Sequence, residues 1–179
     1  MLLHRAPPLQ TSGWLNADRA LDIPDFRGRV LIIEAFQMLC PGCVSHALPQ
    51  AQRIAQAFPS DHVAVIGLHT VFEHHEAQGT LAALAAFAHE YRLSFPIGID
   101  RQDGRLPATM TAYNMQGTPT LLVIDRSGCL RLQRFGHVDD LTLGSIIGTL
   151  LGEPLPVGEP DETASAGCDK TSCTAPSAS

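Results

Sequence analysis

The sequence predicts an α/β domain, with a central mixed sheet flanked by helices. Three observations carry that prediction. Apolar runs of strand length recur at residues 29–36, 62–69 and 120–125. Segments 44–58 and 81–91 repeat their apolar residues at helical spacing. The two kinds alternate in the order β-α-β-α-β-α-β-β-α, which implies a largely parallel sheet with both faces covered and an antiparallel edge from a closing hairpin.

Each element has its own signal. Residues 1–28 are rich in Pro, Gly and Asp and read as an irregular or hairpin lead-in. Gly28 precedes the first buried strand, 29–36. In 44–58, Val44, Leu48, Ala51, Ile54, Ala55 and Phe58 form a helical stripe that Pro49 interrupts. A second buried strand is expected at 62–69, and 70–79 (TVFEHHEAQG) reads as a polar loop. Thr80 is an N-cap candidate for 81–91, where Leu81, Leu84, Ala85, Ala88 and Tyr91 share a face. Residues 95–99 predict a short strand, Asp103-Gly104 a turn and 108–115 a short helix. Strand 120–125, the turn Asp125-Arg126-Ser127-Gly128 and strand 129–135 predict the hairpin, and 141–151 closes the domain as a helix.

Composition bounds the rest. The 179 residues suffice for one domain, 1–152, with a full core. Residues 153–179 hold Pro, Gly, Ala, Ser, Thr and acids, and that composition predicts a disordered tail. The net charge is −6 and Lys and Arg are scattered, which argues against a nucleic-acid partner. No apolar run reaches the roughly 18–20 residues of a membrane span. The start of the chain lacks the pattern of a secretory signal, so the expected location is cytoplasmic. Five cysteines are too few for a disulfide scaffold of this size, which points to catalytic or metal-binding thiols.

Cys40-Pro41-Gly42-Cys43 is the strongest local signal. It lies between a buried strand and a helix. Two thiols at this spacing can close into a small disulfide ring and open again. At a helix N-terminus the first thiol meets backbone N–H groups and the positive end of the helix dipole, which stabilise its reactive thiolate. The other reading is half a zinc site, which requires two further ligands. Cys168 and Cys173 supply them only if the tail folds back.

Strand, CxxC, proline-interrupted helix, a distant Gly117-Thr118-Pro119 before a strand, then a hairpin and a last helix: this order resembles the thioredoxin fold. The long segment before the Pro119 strand resembles the TlpA-like and redoxin (AhpC/TSA-related) branches, which carry an extra strand and helix there. The resemblance covers roughly residues 10–151 and implies a thiol–disulfide oxidoreductase without metal or organic cofactor. It implies that Cys40 is the nucleophile, Cys43 the resolving thiol, and Thr118-Pro119 the cis-proline platform for a substrate strand. Leu39, Pro41 and Gly42 border that platform. Glu34 matches a buried carboxylate that exchanges protons with Cys43 through water, its pKa raised by burial. The implied partners are a disulfide-bearing protein or small molecule and an electron-donor reductase. Leu39 stands where the family usually has Trp, and Pro-Gly reverses thioredoxin's Gly-Pro. Pro49 falls six residues after Cys43 instead of five, and one inserted residue can be absorbed as a π-bulge.

Two other functional readings stay open. Pro41-Gly42-Cys43 with Leu48-Pro49 also resembles some peroxiredoxins, in which Cys43 attacks peroxide. Those enzymes carry Thr or Ser where this chain has Cys40, and Pro where it has Phe36. A groove used for binding without turnover is the other. Among further residues, Cys168 and Cys173 are candidates for an auxiliary relay. His69, His74 and His75 lack the spacing of a metal site, and His46 and Cys129 read as ordinary surface and packing residues.

Overall fold

Strand β2 (Val30–Phe36) is buried at all seven positions, so both of its faces must be covered. The structure, a computed structural model, describes residues 4–154. The tail beyond residue 154, with Cys168 and Cys173, lies outside the described residues. Glu153, which composition assigns to the tail, forms a two-pronged ion pair with Arg131 at 2.7 Å.

The other strands of the main sheet are β1 (Thr11–Leu15), β3 (Val63–His69), β4 (Ile97–Asp100), β7 (Thr120–Ile124) and β8 (Leu130–Phe135). Their spatial order is β1-β4-β3-β2-β7-β8. A separate two-stranded hairpin joins β5 (Gln102–Asp103) to β6 (Leu106–Pro107). On one face Val30, Ile32 and Phe36 share a core with α1 (Leu48–Ala57), α3 (Leu81–Glu90) and α5 (Asp140–Gly152). On the other, Leu31, Ile33 and Ala35 pack with Met110 of α4 (Ala108–Ala112), Tyr113, Met115 and the lead-in residues Leu9, Ile23 and Phe26. Thr80 caps α3, accepting a hydrogen bond from the Ala83 N–H at 3.1 Å. Among the described residues no helix is long and apolar enough to cross a membrane.

The sheet is more mixed than the alternation of elements implied. β2 pairs in parallel with β3, and β3 with β4, whereas β1–β4, β2–β7 and β7–β8 are antiparallel. Residues 113–119 carry the chain to the end of the sheet where β2 finishes, so Thr120 pairs with Ala35 and β7 runs back. The lead-in contributes an edge strand, β1, which the sequence does not announce. Thr11–Leu15 is only partly buried, and its register shifts between Thr11 and Gly13. The expected loop at 70–79 contains a short helix, α2 (His75–Gln78).

Gly67 of β3 sits between Glu34 of β2 and Ile97 of β4. A Cβ there would lie 3.0 Å from Phe36 Cε1, 3.2 Å from Phe95 Cε2 and 3.3 Å from Ile97 Cγ1. All three are core side chains with no free space to move into. Gly67→Ala is therefore expected to lower stability by about 1–3 kcal/mol in urea unfolding, with the m-value unchanged. An unchanged midpoint would show that this layer is not close-packed.

Candidate active site

Cys40 occupies the N-cap of a helix that starts at Pro41, where a missing N–H costs nothing. The Val44 N–H donates to the Cys40 carbonyl at 3.1 Å, closing the first turn. The Cys43 N–H donates to the Cys40 sulfur at 3.2 Å. The sulfur thus takes the place that a Ser or Asp oxygen fills in an ordinary cap. Its other neighbour is the Thr118 carbonyl oxygen at 3.5 Å, within reach of a reduced thiol acting as donor. Cys40 and Cys43 form a disulfide, with Cα atoms 5.2 Å apart. Cys40 is partly exposed and Cys43 is fully buried.

The helix then widens. Residues Cys43–Ala47 form a π-turn, with the Leu48 N–H donating to the Cys43 carbonyl. Pro49 lacks an N–H, and its ring would crowd the carbonyl four residues earlier in a regular α-helix. One wide turn absorbs the extra residue before Pro49, as the spacing predicts. The regular helix α1 resumes at Leu48.

Glu34 lies on the sheet face that also carries Val30, Ile32 and Phe36, whose core includes Cys43. It is 2% exposed, and burial pushes its carboxyl from 4.5 up to about 8. His69 ends β3 opposite Phe36, with ring centroids 5.3 Å apart. Its Nε2 has no hydrogen-bond partner, and burial pushes the imidazole from 6.5 down to about 4. His74 and His75 are exposed and do not join it. Among the described residues no three His, Cys, Asp or Glu side chains gather as a metal site. Phe36 and Met38 belong to the core, leaving Leu39 as the rim residue from this loop, 56% exposed.

Gly117-Thr118-Pro119 stands beside the disulfide, and the Thr118–Pro119 peptide is cis. Pro119 Cδ lies 3.4 Å from where a Cβ on Gly42 would sit. A groove of about 320 Å³ opens between this loop and segment 72–78, with Cys40 and Pro41 in its lining. Phe135 closes one side. Its ring lies so close over Gly117 that a Cβ there would come within 2.9 Å of it.

Two residues that line the groove carry no sequence signal. Gln37 and Gln78 are 3% and 1% exposed. The Gln37 Oε1 accepts from the Phe72 N–H at 3.2 Å, the Glu73 N–H at 3.3 Å and the Gln78 side-chain amide at 3.0 Å. Its Nε2 faces the Thr118 hydroxyl at 3.5 Å. The Gln78 Oε1 accepts from the Leu39 N–H at 3.1 Å, and its Nε2 also donates to the Glu73 carbonyl at 2.8 Å. The residue before Cys40 is thereby tied to segment 72–78. No local pattern announces such a pair, because its partners lie up to 81 positions away.

Fold and site together define a thioredoxin-like domain of the redoxin class, with a CxxC disulfide beside a cis-proline loop. The chain belongs to the AhpC/TSA family, whose model matches residues 4–133. It is similar to a crystal structure of a thioredoxin-like superfamily protein, with 57% identity, a TM-score of 0.83 and coverage of 86% of this chain and 99% of that one. A thiol-disulfide isomerase from Corynebacterium glutamicum matches at 44% identity and a TM-score of 0.79, covering 83% of this chain and 98% of that one. The DipZ proteins of Mycobacterium bovis and Mycobacterium tuberculosis are 30% identical over 155 residues, 84% of this chain. The chain spans 21% of the length of these curated relatives.

Glu34 and His69, both buried, have opposite effects on stability. Glu34 holds its proton more tightly folded than unfolded, so its contribution is full below about 4.5 and is lost as pH rises towards 8. His69 holds its proton less tightly folded, so its contribution is full above about 6.5 and is lost as pH falls towards 4. Between pH 6.5 and 8 the His69 slope has ended and the Glu34 slope remains. The oxidised protein is expected to lose stability across that window in denaturant titrations. Glu34→Gln should flatten the slope, and a variant that keeps it would refute this assignment.

Proposed function

We propose that the protein reduces disulfides in a protein or small-molecule partner, with Cys40 as the entry point. The Cys40 thiolate attacks one sulfur of the substrate cystine. A Cys40–substrate disulfide forms, the substrate S–S bond breaks, and the leaving thiolate takes a proton. Cys43 then gives up its proton, with Glu34 as the acceptor through water, and its thiolate attacks the Cys40 sulfur. The second substrate thiol is released and the Cys40–Cys43 disulfide remains. Two electrons pass to the substrate, and a separate reductase returns them to the pair.

The observation that carries this reading is the cap. The sulfur that receives the Cys43 N–H is the one facing the groove, and Cys43 lies buried behind it. Thr118 and Pro119, with Leu39, Pro41 and Gly42 around them, would seat the substrate segment. Burial of Cys43 also disfavours the peroxidase alternative, which needs peroxide to reach that sulfur first.

Cys40→Ser is expected to abolish disulfide reductase turnover, while Cys43→Ser should accumulate a mixed disulfide on Cys40, seen by mass spectrometry. Retained turnover without Cys40, or peroxide consumption that survives its loss and dies with Cys43, would overturn the reading. A redox titration fixes the direction: a potential near about −270 mV fits a reductant, and one near about −120 mV fits an oxidant.

A further inference from the structure

The groove beside Cys40 has an apolar rim. Leu39 and Phe135 are each 56% exposed, two of the six large hydrophobic side chains left exposed among the described residues. Phe72, half-buried, faces the same groove from segment 72–78. Glu73 and His74, both exposed, line the same groove, and the chain as a whole carries a charge of −6. Exposed apolar side chains clustered around a reactive atom mark a contact surface.

The wall is also fixed in place. Both side-chain amides of the Gln37–Gln78 pair are buried, and their bonds run to Leu39, Phe72, Glu73 and Thr118. A satisfied buried polar network of this kind holds one geometry. It locks the spacing between Phe72 and the Cys40 loop. Attack on a small free disulfide needs no such wall, since a partly exposed sulfur suffices.

We infer that segment 72–78, held by Gln37 and Gln78, is a specificity wall. It selects an extended, uncharged peptide segment with apolar residues beside its cystine over a small anionic disulfide. This rests on the reductase reading above. Phe72, Leu39 and Phe135 receive the apolar flanks, and Glu73 repels an anion. Gln37 and Gln78 are positioning residues that act through Phe72 and Leu39.

The test is stoichiometric exchange with the reduced full chain, read by mass spectrometry of the Cys40–Cys43 disulfide. One probe is a neutral synthetic peptide with Leu and Phe beside its cystine; the other is glutathione disulfide. Each rate is divided by that of N-acetylcysteine with the same disulfide, which removes intrinsic reactivity. The wild type should prefer the peptide by about tenfold or more, as burial of an apolar group in a pocket allows. Phe72→Ala and Gln78→Ala should each reduce that preference, read as the ratio of the two normalised rates, by about fivefold. Amide exchange at Leu39 and Phe72 should quicken in Gln78→Ala. Equal loss with both disulfides, or a preference unchanged in Phe72→Ala, overturns the inference. Equal normalised rates in the wild type sink the selectivity and leave the reductase reading standing. No exchange with either probe sinks both.

Discussion

The contact on which the site depends is the hydrogen bond from the Cys43 N–H to the Cys40 sulfur, 3.2 Å long. It makes a sulfur atom the cap of a helix. A cap is where unpaired N–H groups and the helix dipole converge, so negative charge is stabilised there. Ionising the Cys40 thiol therefore strengthens the helix start, and the helix start favours the ionised thiol. The remaining features of the site serve that coupling. Pro41 fits the first helical position, Gly42 lets Pro119 approach, and the π-turn at Cys43–Ala47 accommodates Pro49 without breaking the helix.

Sheet topology brings the other half of the site to the same place. Because β7 runs antiparallel to β2, Gly117-Thr118-Pro119 arrives at the end of the sheet where β2 gives way to the CxxC loop. Gln37, the residue after β2, joins that loop to segment 72–78 and faces the Thr118 hydroxyl. The groove is thus assembled from three distant stretches of chain. Beneath it, Gly67 keeps the strand next to Glu34 free of a side chain, and Phe36 and Phe95 fill the space. The carboxyl consequently sits among apolar groups, and that burial pushes it to about 8.

The parts legible in the sequence are those with a local signal. The CxxC motif follows an apolar strand, Glu34 sits inside that strand, and Pro49 is displaced by one residue. Together these predicted the redox pair, the buried carboxyl and the wide turn. Thr118-Pro119 is legible only through the resemblance to the thioredoxin fold, which carries a proline before this strand. What was hidden depends on long-range packing. β1 is a half-buried edge strand with a bulge, so its alternation is weak. Gln37 and Gln78 read as ordinary polar residues until the fold places them 3.0 Å apart. Segment 70–79 read as a loop because its docking bonds are made by side chains outside any periodic pattern.

The central claim is that the helix start favours the ionised form of Cys40. The most direct test is the pH dependence of Cys40 alkylation in the reduced protein, located by mass spectrometry. The account predicts a Cys40 pKa at least one unit below the value of about 8.5 for an unperturbed thiol. It also predicts that Cys43 reacts slowly throughout, because it is buried. A Cys40 pKa at or above about 8.5, or faster alkylation of Cys43 than of Cys40, would contradict it.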